Sequence, residues 1–217
     1  MTTYTERALT TLHEWVQSES LRKHCYAVAA SMRQFARLNG ADADLWGAVG
    51  LLHDLDFEQY PQMPPPGEEP SAASAAILAG HVTEPPLLMH PFVGVTYLRV
   101  NGWGEEICRA ILAHADYSGI PPESALEKTL VAVDELSSFV VAVALVRPSK
   151  SIHDVDVASV RKKMKDKAFA RAVSREDIVH GAELLGMPLD ELIQHVITAL
   201  RTEAHQLGLQ GETDRDT

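Results

Sequence analysis

Along the chain, apolar residues recur at steps of three and four, and no stretch alternates convincingly in the manner of a strand. That period predicts helices at roughly 5–18, 20–38, 42–54, 72–80, 91–101, 104–115, 123–146, 155–163, 175–185 and 188–207. The intervals carry turn chemistry: "LNGADAD", "MPPPGEEPS", "VNGWGEE", "SGIPPES", "LVRPSKS" and "LLGMPLDE". Pro122 and Pro188 stand near helix starts, where a missing N–H costs least. The expected fold class is all-α, a single compact body of about eight to ten helices over residues 1–209. The Pro-rich stretch 61–70 and the linker 82–87 read as a surface excursion without a second core beyond it, and 210–217 as a disordered tail.

Composition narrows this picture only in places. At 217 residues the chain can bury a substantial core, and its 46% apolar, 6% aromatic balance suits helices better than sheets. No apolar run reaches the roughly 18 to 20 residues that span a bilayer. The opening "MTTYTERALTTLHEW" lacks the layout of a secretory signal, and Cys25 and Cys108 make no disulfide framework, so the expected compartment is the cytoplasm. A net charge of −11 argues against general nucleic-acid binding. The expected partner is a small molecule, with no nucleic acid and no membrane. A homodimer through the long apolar helix is left open.

The chemistry concentrates on inward faces. Asp134 lies in "LEKTLVAVDELSSFVVAVALV", where a lone carboxylate is costly to bury unless something pairs with it. His114 shares the face of Ile107, Ala110 and Ile111, and His24 the face of Leu21, Val28 and Phe35. "LLHDLDFEQYP" ends an apolar run on His53-Asp54, with Asp56 and Glu58 just beyond. His90 precedes Pro91 at the start of "PFVGVTYL", as a ligand or as a helix cap, and His81 is its rival nine residues earlier. Mixed imidazole and carboxylate donors suit manganese, iron, cobalt, nickel or zinc better than calcium.

The ordered set His24, His53-Asp54, His90, His114, Asp134 resembles the HD-domain superfamily of metal-dependent phosphohydrolases, in its six-ligand form. The resemblance covers about 20 to 146. It implies one or two divalent transition-metal ions. His24, His53, Asp54 and Asp134 would hold the first, and His90 and His114 the second, with Asp54 bridging. It implies hydrolysis of a small phosphorylated metabolite or nucleotide by a metal-activated water. Asp56 or Glu58 could orient that water or protonate the leaving oxygen, with capping or solvation as the plainer reading of both. The same ligand set also resembles di-iron oxygenases of the superfamily, and a non-catalytic metal-containing ligand-binding module is a third reading.

One asymmetry bears on the substrate. Between Arg147 and Arg175 lie nine of the 19 basic residues against three acids, +6 in a chain whose remainder carries −17. A solvated helical face is the plain reading for most of them. If this extension, 147–207, folds back over the metal site, Arg147, Lys150, Lys165, Lys167 or Arg171 could bind the phosphate. The run "ALVRPSKSIHDVDVASVRKKMKDKAFARAVSRED" also resembles a segment of one HD subfamily.

Overall fold

The computed structural model describes residues 2–64, 80, 84–85 and 87–211. Among these there are ten α-helices and no strand; Ser151 and Gln210 form one isolated β-bridge. In chain order the helices are α1 (Tyr4–Trp15), α2 (Glu19–Leu38), α3 (Ala43–Leu52), α4 (Phe92–Val100) and α5 (Glu105–His114). There follow α6 (Ala125–Leu145), α7 (Val157–Met164), α8 (Arg175–Leu184), α9 (Leu189–Thr202) and α10 (Ala204–Leu207). Most starts are set by side chains that accept orphan N–H groups. Thr3 with Glu6, Ser124 with Glu127 and Asp156 with Ser159 form reciprocal capping boxes, and Ser18, Asp42 and Ser174 cap α2, α3 and α8.

Helix α6 runs through the middle, packed on α2, α5, α8 and α9, while α3 lies on α2 and α1. These helices approach one another closely because the contact positions are small. A Cβ on Gly50 of α3 would stand 2.6 Å from the Cα of Ala29 in α2, and one on Gly181 of α8 would stand 2.5 Å from the Cα of Ala132 in α6. Both positions therefore demand glycine for backbone approach, not for backbone conformation. Between α2 and α6 the buried hydroxyls of Ser31 and Ser137 share a hydrogen bond of 2.9 Å. These contacts fix the spacing of the helices that carry His24, His53 and Asp134.

Two differences from the sequence pattern matter. Helix α3 stops at Leu52, so His53 is its C-cap and Asp54 lies in the following turn. The helix expected over 188–207 is broken at Glu203 (φ −114°, ψ 17°), whose carboxylate pairs with Arg33 at 3.0 Å. Beyond the break Leu207 and Leu209 turn inward, and the Leu209 carbonyl accepts from the N–H of Ile152 at 2.9 Å. The helix expected at 72–80 lies outside the described residues except for Gly80, as does the tail from 212. No described helix is long and apolar enough to cross a membrane.

Candidate metal centre

Five structural elements deliver six side chains to one place. His24 comes from the second turn of α2, His53 and Asp54 from the end of α3, His90 from the residue pair before α4, His114 from the last position of α5 and Asp134 from the middle of α6. They form two clusters, His24–His53–Asp134 and Asp54–His90–His114, each able to hold a metal ion. In the first, His24 Nε2 lies 3.0 Å from His53 Nε2 and 3.1 Å from Asp134 Oδ1, and His53 Nε2 lies 3.4 Å from that oxygen. In the second, His90 Nε2 and His114 Nε2 are 3.2 Å apart.

Asp54 stands between the clusters and divides its oxygens. Oδ2 faces His24 and His53 at 3.3 and 3.6 Å, while Oδ1 faces His90 and His114 at 3.5 and 3.8 Å. Ligands roughly 2.0–2.2 Å from a shared ion stand about 3.0–3.5 Å from one another, so these separations fit metal ligation.

The hydrogen bonds behind the rings make a stronger case. His53 Nδ1 donates to the Gly50 carbonyl at 2.9 Å, His114 Nδ1 to the Ile111 carbonyl, and His90 Nδ1 to Asp56 Oδ1 at 2.7 Å. Carbonyls only accept, so the protons of His53 and His114 sit on Nδ1, and Asp56 holds His90 in the same tautomer. Each ring then turns Nε2 to the interior, where that nitrogen takes a proton or a cation. Two bare Nε2 atoms at 3.2 Å repel unless a proton or a cation lies against them. His24 differs, because its Nδ1 meets the Ser138 hydroxyl at 2.8 Å, which can donate or accept.

The electrostatics agree. Burial disfavours charge on Asp54, yet the surrounding imidazoles, His53 foremost, hold its carboxyl well below the usual range. Asp134 is likewise depressed, against burial, by His53 and His24. Burial also opposes a charged His24, but Asp134 and Asp54 overcome it and hold the imidazolium up to about 10. Without metal, a proton on His24 does part of the neutralising work. The neighbouring Cys25 is no donor, since burial and then the same two carboxylates push its thiol well above its usual value.

Above the centre opens a cleft of about 1260 Å³. Phe57 and Tyr117 form apolar wall, and the Tyr117 hydroxyl donates to the His90 carbonyl at 2.9 Å. Burial, then Asp56 and Asp54, push that phenol well above its usual range. Six carboxylates line the cleft: Asp54, Glu58, Asp116, Asp134, Glu135 and Asp177. Burial and the adjacent Asp134 push Glu135 up to about 7, against the pull of a hydrogen bond from the Ser174 N–H.

None of Arg147, Lys150, Lys165, Lys167 and Arg171 lines the cleft, although Ala172 and Val173 from the same segment do. Arg147 faces Asp156 at 3.8 Å. Arg175 clasps its own loop, donating to the carbonyls of Ala170 and Val173 at 2.6 Å each and to that of Phe169, with its guanidinium over the Phe139 ring. The loop thus approaches the site through Ala172 and Val173, while Arg175 is turned onto the loop's own backbone.

The carboxylates after the His-Asp pair both accept hydrogen bonds from neighbouring groups. Asp56 is wholly buried between His90 Nδ1 and the Gly94 N–H, the latter at 2.6 Å. Glu58 lies on the cleft wall but spends Oε2 on the N–H groups of Gln17 and Ser18, which ties down the α1–α2 turn. His81 lies outside the described residues. Ser138 was missed by sequence reasoning, although it stands four residues after Asp134 and so shares its helix face. His180, also on the cleft wall, has no comparable signal.

The HD domain family model matches residues 21–186, and the chain belongs to the HD domain family. That family consists mostly of metal-dependent phosphohydrolases and binds divalent metals, and the two clusters here could supply the ligands. No curated protein and no solved structure shows significant similarity to the chain.

Proposed function

We propose that this protein hydrolyses a small phosphomonoester at a dinuclear metal centre. His24, His53, Asp54 and Asp134 hold one ion, and Asp54, His90 and His114 hold the other. The observation that supports this most is the pair of imidazole Nε2 atoms converging beside a carboxylate whose two oxygens face different clusters. Bound divalent ions would polarise a phosphoryl oxygen and lower the pKa of a water. The protein's part is to aim the rings through their Nδ1 bonds, to keep Asp54 and Asp134 ionised, and to wall the cleft with Phe57 and Tyr117. Ser138 steadies His24 from behind, and the neutral Tyr117 hydroxyl fastens the His90 backbone.

The charge of the cleft refines the substrate class. Among the described residues no Lys or Arg lines it, and residues 65–86 contain neither. In this reading the metal centre itself meets the phosphate charge, between walls rich in carboxylate. A monoester with two negative charges suits that arrangement, whereas a triphosphate would set its additional charges against the walls.

The test is anaerobic incubation of metal-loaded protein with a panel of phosphomonoesters and nucleoside triphosphates, following orthophosphate. Release from monoesters, with kcat/KM favouring monophosphate over triphosphate by about tenfold or more, is expected. Oxygen consumption by the iron-loaded protein, with no orthophosphate from any ester, would overturn hydrolysis in favour of oxygenase chemistry.

A further inference from the structure

We infer that Asp56 is the positioning residue on which the second metal position depends, an inference that rests on the dinuclear reading above. Its carboxylate is wholly buried and accepts two hydrogen bonds, one on each oxygen. Oδ1 takes the His90 Nδ1 proton at 2.7 Å, and Oδ2 takes the Gly94 N–H at 2.6 Å. Gly94 is the third residue of α4, so its N–H is one of the donors a helix start leaves without an intrahelical partner. Asp56 therefore caps α4 from across the chain and fixes the ring of His90 in a single arrangement.

The space for this is made by a missing side chain. A Cβ on Gly94 would stand 3.1 Å from Asp56 Cγ and 3.2 Å from Oδ2, closer than ordinary van der Waals contact. A side chain at position 94 would push the carboxylate back from the first turn of α4 by a few tenths of an ångström. The rest of the His90 setting supports the same orientation: its N–H donates to the Tyr60 carbonyl at 2.9 Å, and Phe57 packs edge-on to its ring.

No other ligand leans on a carboxylate in this way. His53 and His114 are aimed by carbonyls within their own turns, and His24 by a hydroxyl. An acceptor carrying full negative charge behind an imidazole raises the basicity of its outer nitrogen as well as fixing the tautomer. An asparagine cannot serve both donors of Asp56. It has one carbonyl oxygen, so its amide N–H must face either the Gly94 N–H or His90 Nδ1. In the second case the His90 proton is driven to Nε2, where ligation is lost.

The experiment is manganese titration of metal-free wild type, Asp56→Asn and Gly94→Ala, read by bound-ion stoichiometry and electron paramagnetic resonance. Gly94→Ala keeps every ligand and Asp56 itself, and thermal unfolding of each metal-free variant reports whether it folds. Wild type is expected to take two ions with an exchange-coupled signal. In Asp56→Asn the first ion should bind as in wild type, while affinity for the second falls by about 10- to 100-fold and the spectrum becomes that of an isolated ion. Gly94→Ala should shift the second affinity in the same direction, by less. Two ions with a coupled signal and wild-type affinity in both variants would overturn the inference while leaving the dinuclear reading in place. Wild type that takes one ion overturns both, and so is distinguishable from that outcome. Equal loss of both ions in folded variants would also overturn it, because it would make Asp56 a support of the whole centre.

Discussion

The two halves of the centre are built differently. His24 and Asp134 project from the interiors of α2 and α6, long helices joined by the buried Ser31–Ser137 bond, and His53 joins them from α3 through the close approach of Gly50 to Ala29. On the other side, His90 precedes α4 without belonging to it, and His114 is the last residue of α5. The first half is thus set mainly by helix packing, with His53 alone at a helix end, while both histidines of the second stand at helix ends and are set by hydrogen bonds there. Rigid packing holds donors in place without metal, whereas end residues depend on local partners. The first position should therefore be the tighter and the second the one that tunes.

The largest effect should come from the residue that belongs to both halves. Asp54→Ala removes an anion shared by two clusters and should lose both ions and all activity, read by metal analysis alongside turnover. A protein so altered that still held two ions would dissolve the comparison. Gly50→Ala should damage the first half selectively, because its new Cβ would lie 2.6 Å from backbone that cannot retreat cheaply. Overpacking of this kind costs about 1–3 kcal/mol, visible in chemical denaturation of the metal-free protein. First-ion affinity should fall more than second-ion affinity.

A third effect separates the halves by pH. In the metal-free protein burial opposes charge on His24, yet Asp134 and Asp54 hold its pKa at about 10, above the ordinary 6.5. That raised value stabilises the fold fully below pH 6.5, and the contribution fades as pH climbs through 10. Metal must displace the same proton, so first-ion affinity should rise with pH by up to about tenfold per unit across the neutral range. Thermal unfolding without metal and calorimetry in buffers of different ionisation heat should show the two trends in opposite directions. Smallest of all, Lys165→Ala and Arg171→Ala should leave kcat/KM within experimental scatter, since neither side chain lines the cleft. A marked rise in KM would restore the basic segment to the substrate.

Much of this arrangement was legible beforehand, for a physical reason. A histidine in an apolar helical stripe inherits the direction of its neighbours, so His24 and His114 could be aimed inward from periodicity, and Asp134 from the apolar character of its whole helix. The structure brings those three together with His53, Asp54 and His90. The basic residues carried no such constraint. Solvated side chains have no periodic partner, and only the clasp of Arg175 on the carbonyls of its own loop shows which way that segment turns. For Asp56 sequence left both a catalytic and a capping reading open, because the groups it meets, His90 and Gly94, lie 34 and 38 positions onward. The break at Glu203 was hidden similarly, since its partner Arg33 is 170 positions distant.

The most direct test of the two-position centre is a calorimetric titration of metal-free protein with a single divalent ion, checked by metal analysis of the product. The geometry predicts two ions per chain bound in unequal steps, the tighter releasing about one proton at neutral pH from His24. One ion per chain at saturation, or two bound with equal affinity and no proton release, would contradict it.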